Sequence, residues 1–411
     1  MTTSIFNIRK SADYGTALTC YSASEWDQET RAIYRLGRRP AVYFDKFSDP
    51  DSPDHEIFQN FLAEQNITEP TQDAVAEAAA IELSKRIVTD DFVEKIGQNI
   101  IEKMQSNPNH GFDKIKVICP FPIDANETQN EFAPALNALV TVRLQESLPQ
   151  MLAQNGLANI PVINEHDPEH ADPEKSILNI VNNSRGSTSH PEPGKEGLTY
   201  VERLVRQPVY SGDVDQKALY VPVDDFLVAQ STLTGLMSYI HSEGGVTTNG
   251  VTGVQLFNGI NVMSVQPETL EYLNTVIGDT PVSEQSEYGG QEGYEDAVQE
   301  LMARVGLKVD FDHPENNTIN NVEMMFLAGI LADSNNPEHV EAFESVLSSI
   351  GSNPEEAKGN SPSDVFFANR MTLYDLEEHF AKVLEVRKPL IDMKHERVQS
   401  MQENDQTVDF N

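Results

Sequence analysis

Residues 217–225 read Lys-Ala-Leu-Tyr-Val-Pro-Val-Asp-Asp and form the most informative stretch of this 411-residue chain. The apolar run predicts a short buried strand that ends in two adjacent carboxylates, Asp224 and Asp225. A loop of small and polar residues, 228–232, follows the two acids. Apolar side chains then recur three and four positions apart, as on one face of a helix: Leu233, Leu236, Met237 and Ile240. The stretch therefore predicts a strand, a tight loop and a helix, in that order.

The predicted helix ends at Gly244 and Gly245, because glycine is common just past a helix end. Residues 251–256 then predict the next strand, which completes one strand–loop–helix–strand unit. In open parallel sheets, ligands bind outside the carboxyl ends of the strands, at the N-termini of the helices that follow. Carboxylates at that edge can accept hydrogen bonds from vicinal ribose hydroxyls, and loop amides can hold a phosphate. The unit therefore suits a sugar phosphate.

The stretch resembles the phosphoribosyl-diphosphate signature of the type I phosphoribosyltransferases. In that signature an apolar strand is followed by two aspartates and a Thr-Thr-Gly-x-Thr-like loop. Residues 203–212, which include Arg-Gln-Pro-Val-Tyr-Ser-Gly, resemble the segment that leads into it. Residues 267–270 match a Pro-Glu-Thr-Leu segment of an orphan branch of the family. The similarity covers roughly residues 203–273, so it includes the strand, the loop and the helix.

The resemblance implies an α/β fold with a parallel-sheet, type I phosphoribosyltransferase-like core at residues 70–278. Residues 1–69 would be an N-terminal addition, with a cap over the cleft as one role for it. Residues 279–411 would be a mainly helical C-terminal addition. The implied activity is transfer of a phosphoribosyl group from 5-phosphoribosyl diphosphate, with Mg²⁺, to an unidentified nitrogenous base or related acceptor. Because dimers are common in the family, the resemblance also points to a homodimer.

The resemblance also assigns the site residues. Asp224 and Asp225 would be catalytic: they would hold the ribose hydroxyls and stabilise positive charge on the sugar. The other residues expected to bind phosphoribosyl diphosphate are Ala229, Gln230, Ser231 and Thr232 in the loop, Arg203 and Arg206 before the core strand, and Asp124 and Asn126 after an earlier strand. No side chain is assigned as a direct ligand of Mg²⁺, and no residue points to a purine or a pyrimidine acceptor.

The loop departs from the family pattern in ways that bear on activity. Val228 and Ala229 stand where hydroxyl residues are common, and Gln230 stands where the family favours glycine. Glycine lets the backbone adopt a positive φ near a phosphate, which costs another residue about 1 kcal/mol. Pro222 removes a ladder donor and argues against an ordinary central strand. A second hypothesis is therefore a sensor or scaffold that binds a nucleotide or phosphoribosyl diphosphate with reduced catalysis.

The composition is strongly acidic, since 29 Lys and Arg against 65 Asp and Glu give a net charge of −36. Such a surface repels nucleic-acid backbones and anionic membranes, and it is also typical of a salt-adapted or highly soluble protein. The two cysteines, Cys20 and Cys119, indicate neither a disulfide framework nor a zinc site. The sequence has no signal-peptide pattern and no membrane-spanning run, so we expect a cytoplasmic protein.

The remaining sequence predicts further elements on both sides of the signature. Residues 38–45 suggest a strand, and residues 71–104 carry helical apolar patterns. Residues 114–119 indicate a buried strand, which a helix at 128–152 follows. The stretch 164–198, rich in Pro, Asn, Gly, Ser and charge, occupies the position of a mobile lid in the family.

The C-terminal third predicts a loop and a series of helices. Residues 283–293 suggest a linker or surface loop. Helices are predicted at 294–305, at 322–331 with Asn320 as its cap, at 337–351, and at 372–401 with an interruption at Pro389.

One acidic segment raises the alternative of a metal site. His166 and His170, four residues apart, would lie on one face of a helix and could bind a metal ion. Pro168 and Pro173 oppose a regular helix there. A solvated acidic loop is therefore the preferred interpretation.

Overall fold

The centre of the fold is a parallel β-sheet covered by helices. The computed structural model describes residues 18–22, 26–38, 40–121, 131–166, 176–181, 201–202, 204–227, 231–255, 264–349 and 370–408. Within these ranges the strands are β1 (Leu18–Ser22), β2 (Lys114–Ile118), β3 (Val162–Asn164), β4 (Leu178–Val181), β5 (Val209–Ser211), β6 (Ala218–Leu227), β7 (Val246–Thr247) and β8 (Val251–Gln255). The predicted α/β class is confirmed.

Thirteen α-helices lie in the described part of the chain. Those before and within the sheet region are α1 (Gln28–Arg38), α2 (Pro40–Ser48), α3 (His55–Glu64), α4 (Gln72–Ile87), α5 (Asp90–Ser106), α6 (Phe132–Gln154) and α7 (Ser231–Ser242). The C-terminal ones are α8 (Pro267–Gly278), α9 (Val282–Glu287), α10 (Gln291–Ala303), α11 (Asn321–Leu331), α12 (Pro337–Ser349) and α13 (Leu373–Val408).

The main sheet has the strand order β1-β8-β6-β2-β3, and β7 also pairs with β6. All of these pairings are parallel. β6 is the longest strand, and its first half pairs with β2 while its second half pairs with β8. β4 and β5 form a separate antiparallel pair. β6 therefore extends past the end of β2, and Asp224 and Asp225 lie on that extension.

Pro222 lies inside β6, so the sequence-based objection to a central strand here was wrong. On one side of β6, β7 ends at Thr247 and β8 begins only at Val251. Tyr220 O accepts a hydrogen bond from Thr248 N at 2.8 Å on this side. Because backbone groups of alternate residues point the same way, Pro222 faces the break between β7 and β8. The backbone N–H that proline lacks would therefore point to the place where the neighbouring strand is interrupted.

Two apolar layers cover the faces of the sheet. Leu219, Val221 and Val223 of β6 pack into a core with α1–α6. Ala218 and Tyr220 pack into a smaller core with α7. This alternation is the two-residue period of a strand. Each such fully buried aliphatic side chain contributes about 1.5–3 kcal/mol, so burial on both faces holds β6 firmly in the sheet.

The strand predicted at residues 38–45 is wrong, because α1 ends at Arg38 and α2 begins at Pro40. Proline is favoured in the first turn of a helix, where its missing N–H has no partner to lose. Val42 is 60% exposed, unlike a residue of a buried strand. Gly37 lets α1 approach α4 closely, since a Cβ there would lie 3.1 Å from Ala80 N.

The C-terminal helices form a third core, which reaches α7 through Leu233 and Met237. Arg387 of α13 is 6% exposed and donates to the carbonyl oxygens of Val205 and Gln207 at 3.4 and 3.5 Å. Gln207 Nε2 in turn donates to Glu323 Oε1 of α11 at 3.1 Å. These buried polar contacts fasten the C-terminal helices to the segment that leads into β5.

Two C-terminal predictions were wrong. Residues 283–293 belong largely to α9 and α10 rather than to a linker. α13 is continuous through Pro389, although proline in a helix interior costs about 3 kcal/mol. Phe380 and Ile391, on either side of the proline, are fully buried, and their packing offsets that cost. Among the helices the structure describes, none has the length and apolarity needed to cross a membrane.

Candidate functional site

The candidate site lies where the strand order of the sheet reverses. From β2 the chain moves to β3 on one side and then to β6 on the other side of β2. The carboxyl ends of β2 and β6 therefore flank a topological switch point, where open α/β sheets bind ligands. α7 begins at Ser231, four residues after β6 ends at Leu227. Asp224 and Asp225 lie inside β6, which continues through them to Leu227 rather than ending at them as the sequence predicted.

Strand alternation directs the Cβ atoms of Asp224 and Asp225 to opposite faces of the sheet, but the two carboxyl groups still form a side-chain hydrogen bond with each other. Leu219, Val221 and Val223 share the α1–α6 core, so Asp225, the next odd-numbered residue, faces that side. Asp224 has the orientation of the even-numbered residues that pack against α7. The two carboxyl groups nevertheless lie close together, and the Arg38 charge acts on both.

Asp225 is bound by an arginine from the N-terminal region. Its Oδ2 lies 3.1 Å from Arg38 Nε, and the residue is 4% exposed. Arg38 also donates to the Tyr34 hydroxyl, and its guanidinium lies 5.6 Å from the centroid of that ring. A buried carboxylate is costly unless it is paired, and Arg38 supplies the pair. The end of α1 thereby becomes part of the site.

Asp224 is half-buried and has an unusual acidity. Burial, and then the charge of Asp225, raise the pKa of Asp224 well above its ordinary value. The Asp225 amide donates to Asp224 Oδ1 at 2.9 Å, and this bond and the Arg38 charge act in the opposite direction. A carboxyl group that keeps its proton above the usual range can donate as well as accept hydrogen bonds.

Cys119 belongs to the same environment, directly after β2. Burial, and then the charge of Asp224, raise the pKa of the Cys119 thiol above its ordinary value. The thiol is therefore protonated at neutral pH and is a poor nucleophile. Cys119 is a buried free thiol.

Ser231 and Thr232, which the sequence analysis places in the loop, form the start of α7. Ser231 is 8% exposed, and the Tyr210 hydroxyl donates to Thr232 O at 2.8 Å. The N-terminus of a helix of this length favours an anion through its unpaired amides and its dipole. The other two predicted loop residues, Ala229 and Gln230, lie outside the described residues.

Of the other residues predicted to bind phosphoribosyl diphosphate, the structure describes only Arg206. Arg206 forms an ion pair with Glu202 at 3.1 Å. Burial, and then the nearby Arg206 charge, lower the pKa of Arg387 to about 10, so Arg206 lies toward α13. Arg203, Asp124 and Asn126 fall outside the described residues.

A second polar cluster lies at the carboxyl ends of β2 and β3. His166 Nε2 is 3.1 Å from Cys119 O, and its ring stacks on Phe121 with centroids 4.9 Å apart. Burial lowers the pKa of His166 to about 4, so the ring is neutral at pH 7. Glu165, whose pKa is raised by burial, pairs with Lys116 at 2.9 Å. Glu165 and His166 are the residues of the predicted acidic loop that the structure describes, and both contact other groups of the protein.

The described residues do not build a metal site. They contain no group of three or more His, Cys, Asp or Glu side chains placed to hold an ion. Mg²⁺ needs near-octahedral oxygen ligands and is often held by one or two carboxylates together with phosphates of a substrate. Asp225 is committed to Arg38, so only Asp224 of the two acids is available for that purpose. The residues therefore do not fit a Mg²⁺ ion held by the protein alone. His170, the other half of the histidine pair, lies outside the described residues.

Sequence reasoning missed Arg38 and the cluster around His166. Arg38 was interpreted as the start of a strand, and no spacing rule connects it with an acid far along the chain. One signal was available, since a buried acid at the end of a strand calls for a cation in a chain with only 29 basic residues.

Comparison with protein-family models, curated proteins and solved structures found no match to this chain.

Proposed function

We propose that the chain binds 5-phosphoribosyl diphosphate at the carboxyl end of β6 and transfers its phosphoribosyl group to a nitrogenous base or related acceptor. The observation that carries this proposal is the position of Asp224. It is a half-buried acid with a raised pKa at the topological switch point, on the face of β6 that meets α7. The fold proposed with it is a type I phosphoribosyltransferase-like core.

Each group has a role that follows from its chemistry. Asp224 accepts hydrogen bonds from the ribose hydroxyls, and the amides at Ser231 and Thr232 face the 5′-phosphate. In the transfer, the bond from the anomeric carbon to the diphosphate oxygen breaks as an acceptor nitrogen forms a bond to that carbon. The diphosphate leaves with the bonding electron pair. Positive charge develops on the sugar in between, and the Asp224 carboxylate stabilises it.

The proposal gives Mg²⁺ a limited place. The ion would reach the site bound to the diphosphate of the ligand, where it would balance the charge of the leaving group. No step of the transfer requires a protein side chain to hold it. This assignment is consistent with the single available carboxylate, Asp224.

A second candidate function is binding without transfer, as in a sensor or scaffold. The observation in its favour is the Arg38–Asp225 ion pair, which neutralises one of the two acids. The raised pKa of Asp224 adds to this, because a protonated carboxyl stabilises a cationic sugar less than a carboxylate does. Both candidates use the same site, and they differ only in whether diphosphate is released.

Two measurements separate the candidates. Calorimetric titration with phosphoribosyl diphosphate and Mg²⁺ should give saturable binding to the wild type. Asp224→Asn should weaken it by about 100-fold, the loss expected when a charged hydrogen-bond acceptor is removed. Asp312→Asn, which removes an exposed carboxylate elsewhere, is the matched control and should bind as the wild type does.

Release of diphosphate in the presence of a panel of purine and pyrimidine bases then tests the transfer. Release with one base, and its loss in Asp224→Asn, would support the enzyme. Binding without release with any base would support the sensor. Absence of binding to the wild type, or equal binding to Asp224→Asn, would overturn both candidates.

A further inference from the structure

The two acids of the site are held in different ways. Asp225 is 4% exposed and bound to Arg38 at 3.1 Å, on the α1–α6 side of β6. Asp224 is half-buried and lies on the α7 side. A ligand that lies against the start of α7 therefore meets Asp224, while Asp225, which contacts the Asp224 carboxyl, is bound to Arg38.

Arg38 is itself fixed by aromatic packing at the end of α1. Its guanidinium donates to the Tyr34 hydroxyl and lies 5.6 Å from the centroid of the Tyr34 ring. Tyr34 makes edge-on contacts with Trp26 and Phe132, at centroid distances of 5.0 and 6.1 Å. Phe132 begins α6 and is fully buried. The cation is thus held by Tyr34 of its own helix, and the Tyr34 ring in turn packs against α6.

We propose that Arg38 is a positioning residue of the phosphoribosyl-diphosphate site, which binds Asp225 and leaves Asp224 to contact the ligand. This inference rests on the proposed function and deepens it. The N-terminal region then acts on the site through Asp225. The two adjacent acids of the signature have separate roles, one toward the ligand and one toward the protein.

The charges near Asp224 show why this arrangement matters. The ionisable groups that face it are Asp225 on its own strand, Arg38 from α1 and Cys119 after β2. Arg38 and Asp225 cancel each other, so a phosphorylated ligand approaches one acid rather than two. In a chain with a net charge of −36, this removes a local barrier to an anion.

A double-mutant cycle tests the coupling. The variants are Arg38→Met, Asp225→Asn and the two together, with Arg38→Lys as the conservative variant and Asp224→Asn for comparison. Each single change should weaken phosphoribosyl-diphosphate binding by about tenfold, because it leaves a buried charge unpaired. The double variant should also lose about tenfold rather than about 100-fold, since it leaves no unpaired charge. Asp224→Asn should lose about 100-fold.

The pH profile gives a readout that a purely structural role would not move. Without Arg38 the unpaired Asp225 charge should raise the pKa of Asp224 further, so ligand binding should titrate at a higher pH. The double variant should titrate below Arg38→Met, and Arg38→Lys should restore most of the wild-type profile. Carbon-13 NMR of the aspartate carboxyls follows the same titration in the protein without ligand.

The outcomes separate this inference from the proposed function. Multiplicative losses in the double variant, or a loss in Asp225→Asn as large as that in Asp224→Asn, would overturn the positioning role while ligand binding stands. If the wild type does not bind phosphoribosyl diphosphate, the proposed function fails. The ligand-free titration still decides the role of Arg38. An Asp224 pKa unchanged by Arg38→Met would exclude it.

Discussion

Ionisation of the Asp224 carboxyl lowers the free energy of unfolding of the protein. Because its pKa is raised in the folded state, its protonated form is favoured there. Its contribution to stability is therefore fully present below the unfolded-state pKa of about 3.9 and is lost as the pH rises through the folded-state value. A site residue that destabilises the fold when ionised is typical of functional acids.

We predict that Asp224→Asn increases the free energy of unfolding at pH 8 and has little effect near pH 4. The amide keeps the shape of the side chain and removes the buried charge. Urea denaturation across this pH range measures the difference. Asp312→Asn, which changes an exposed carboxylate elsewhere, is the matched control and should leave the free energy of unfolding close to that of the wild type. An Asp224→Asn variant no more stable than wild type at pH 8 would show that Asp224 ionises without cost.

Glycine substitutions test the packing of α7 at the residue scale. A Cβ at Gly235 would lie 2.6 Å from Cγ of Pro208, whose ring cannot move aside easily. Gly235→Ala should therefore destabilise the protein by about 1–3 kcal/mol, despite the better helix propensity of alanine. A Cβ at Gly278, the last residue of α8, would meet no other described part of the chain within 4 Å, so Gly278→Ala should be neutral or stabilising by about 0.4–1 kcal/mol. Thermal unfolding of the two variants gives the comparison, and equal effects would contradict the close contact.

Residue types predicted the position of the acids but not their partner. Asp224 and Asp225 follow an apolar run, and this pattern is visible in the sequence. The ion pair with Arg38 depends on how α1 packs against α4 and α6, which no local pattern contains. The hydrogen bond between the two carboxyl groups is likewise not predicted, because strand alternation alone would send adjacent side chains to opposite faces.

Helix caps test the structure at the scale of elements. Asn320 and Glu323 form a capping box at the start of α11, and both are buried. Thr71 caps the start of α4, where its contact is exposed to solvent. Asn320→Ala should cost about 1–2 kcal/mol and Thr71→Ala about 0.5–1 kcal/mol, because only the first leaves buried amides without a partner. Urea denaturation of both variants would contradict this if Thr71→Ala were the more damaging.

Helices and strands with a regular apolar periodicity were predicted from the sequence, whereas those with short or ambiguous apolar runs were not. The apolar patterns of α4 and α5 and the cap at Asn320 identified their helices. The run at 41–44 contains Val, Tyr and Phe, which favour strands, but packing against α4 made it helical as part of α2. β1 is an edge strand that depends on β8 for its pairing, so its own five residues carry little signal.

The net charge of −36 acts on the molecule as a whole. Mutual repulsion of the excess acids opposes the compact state, and salt screens it. Raising the ionic strength from about 0.01 M to about 0.15 M shortens the Debye length from about 30 Å to about 8 Å. We therefore predict that Tm rises over this range of sodium chloride. Sucrose at equal osmolality should not reproduce the rise to the same extent, and a Tm that falls with salt would show that ion pairs outweigh the repulsion.

The most direct test of the proposed site is a crystal structure of the chain with 5-phosphoribosyl diphosphate and Mg²⁺. We predict the ribose hydroxyls within about 3 Å of the Asp224 carboxyl, and the 5′-phosphate at the start of α7. Asp225 should remain bound to Arg38. A ligand seated elsewhere, or an Asp224 carboxyl with no contact to the sugar at full occupancy, would contradict the site.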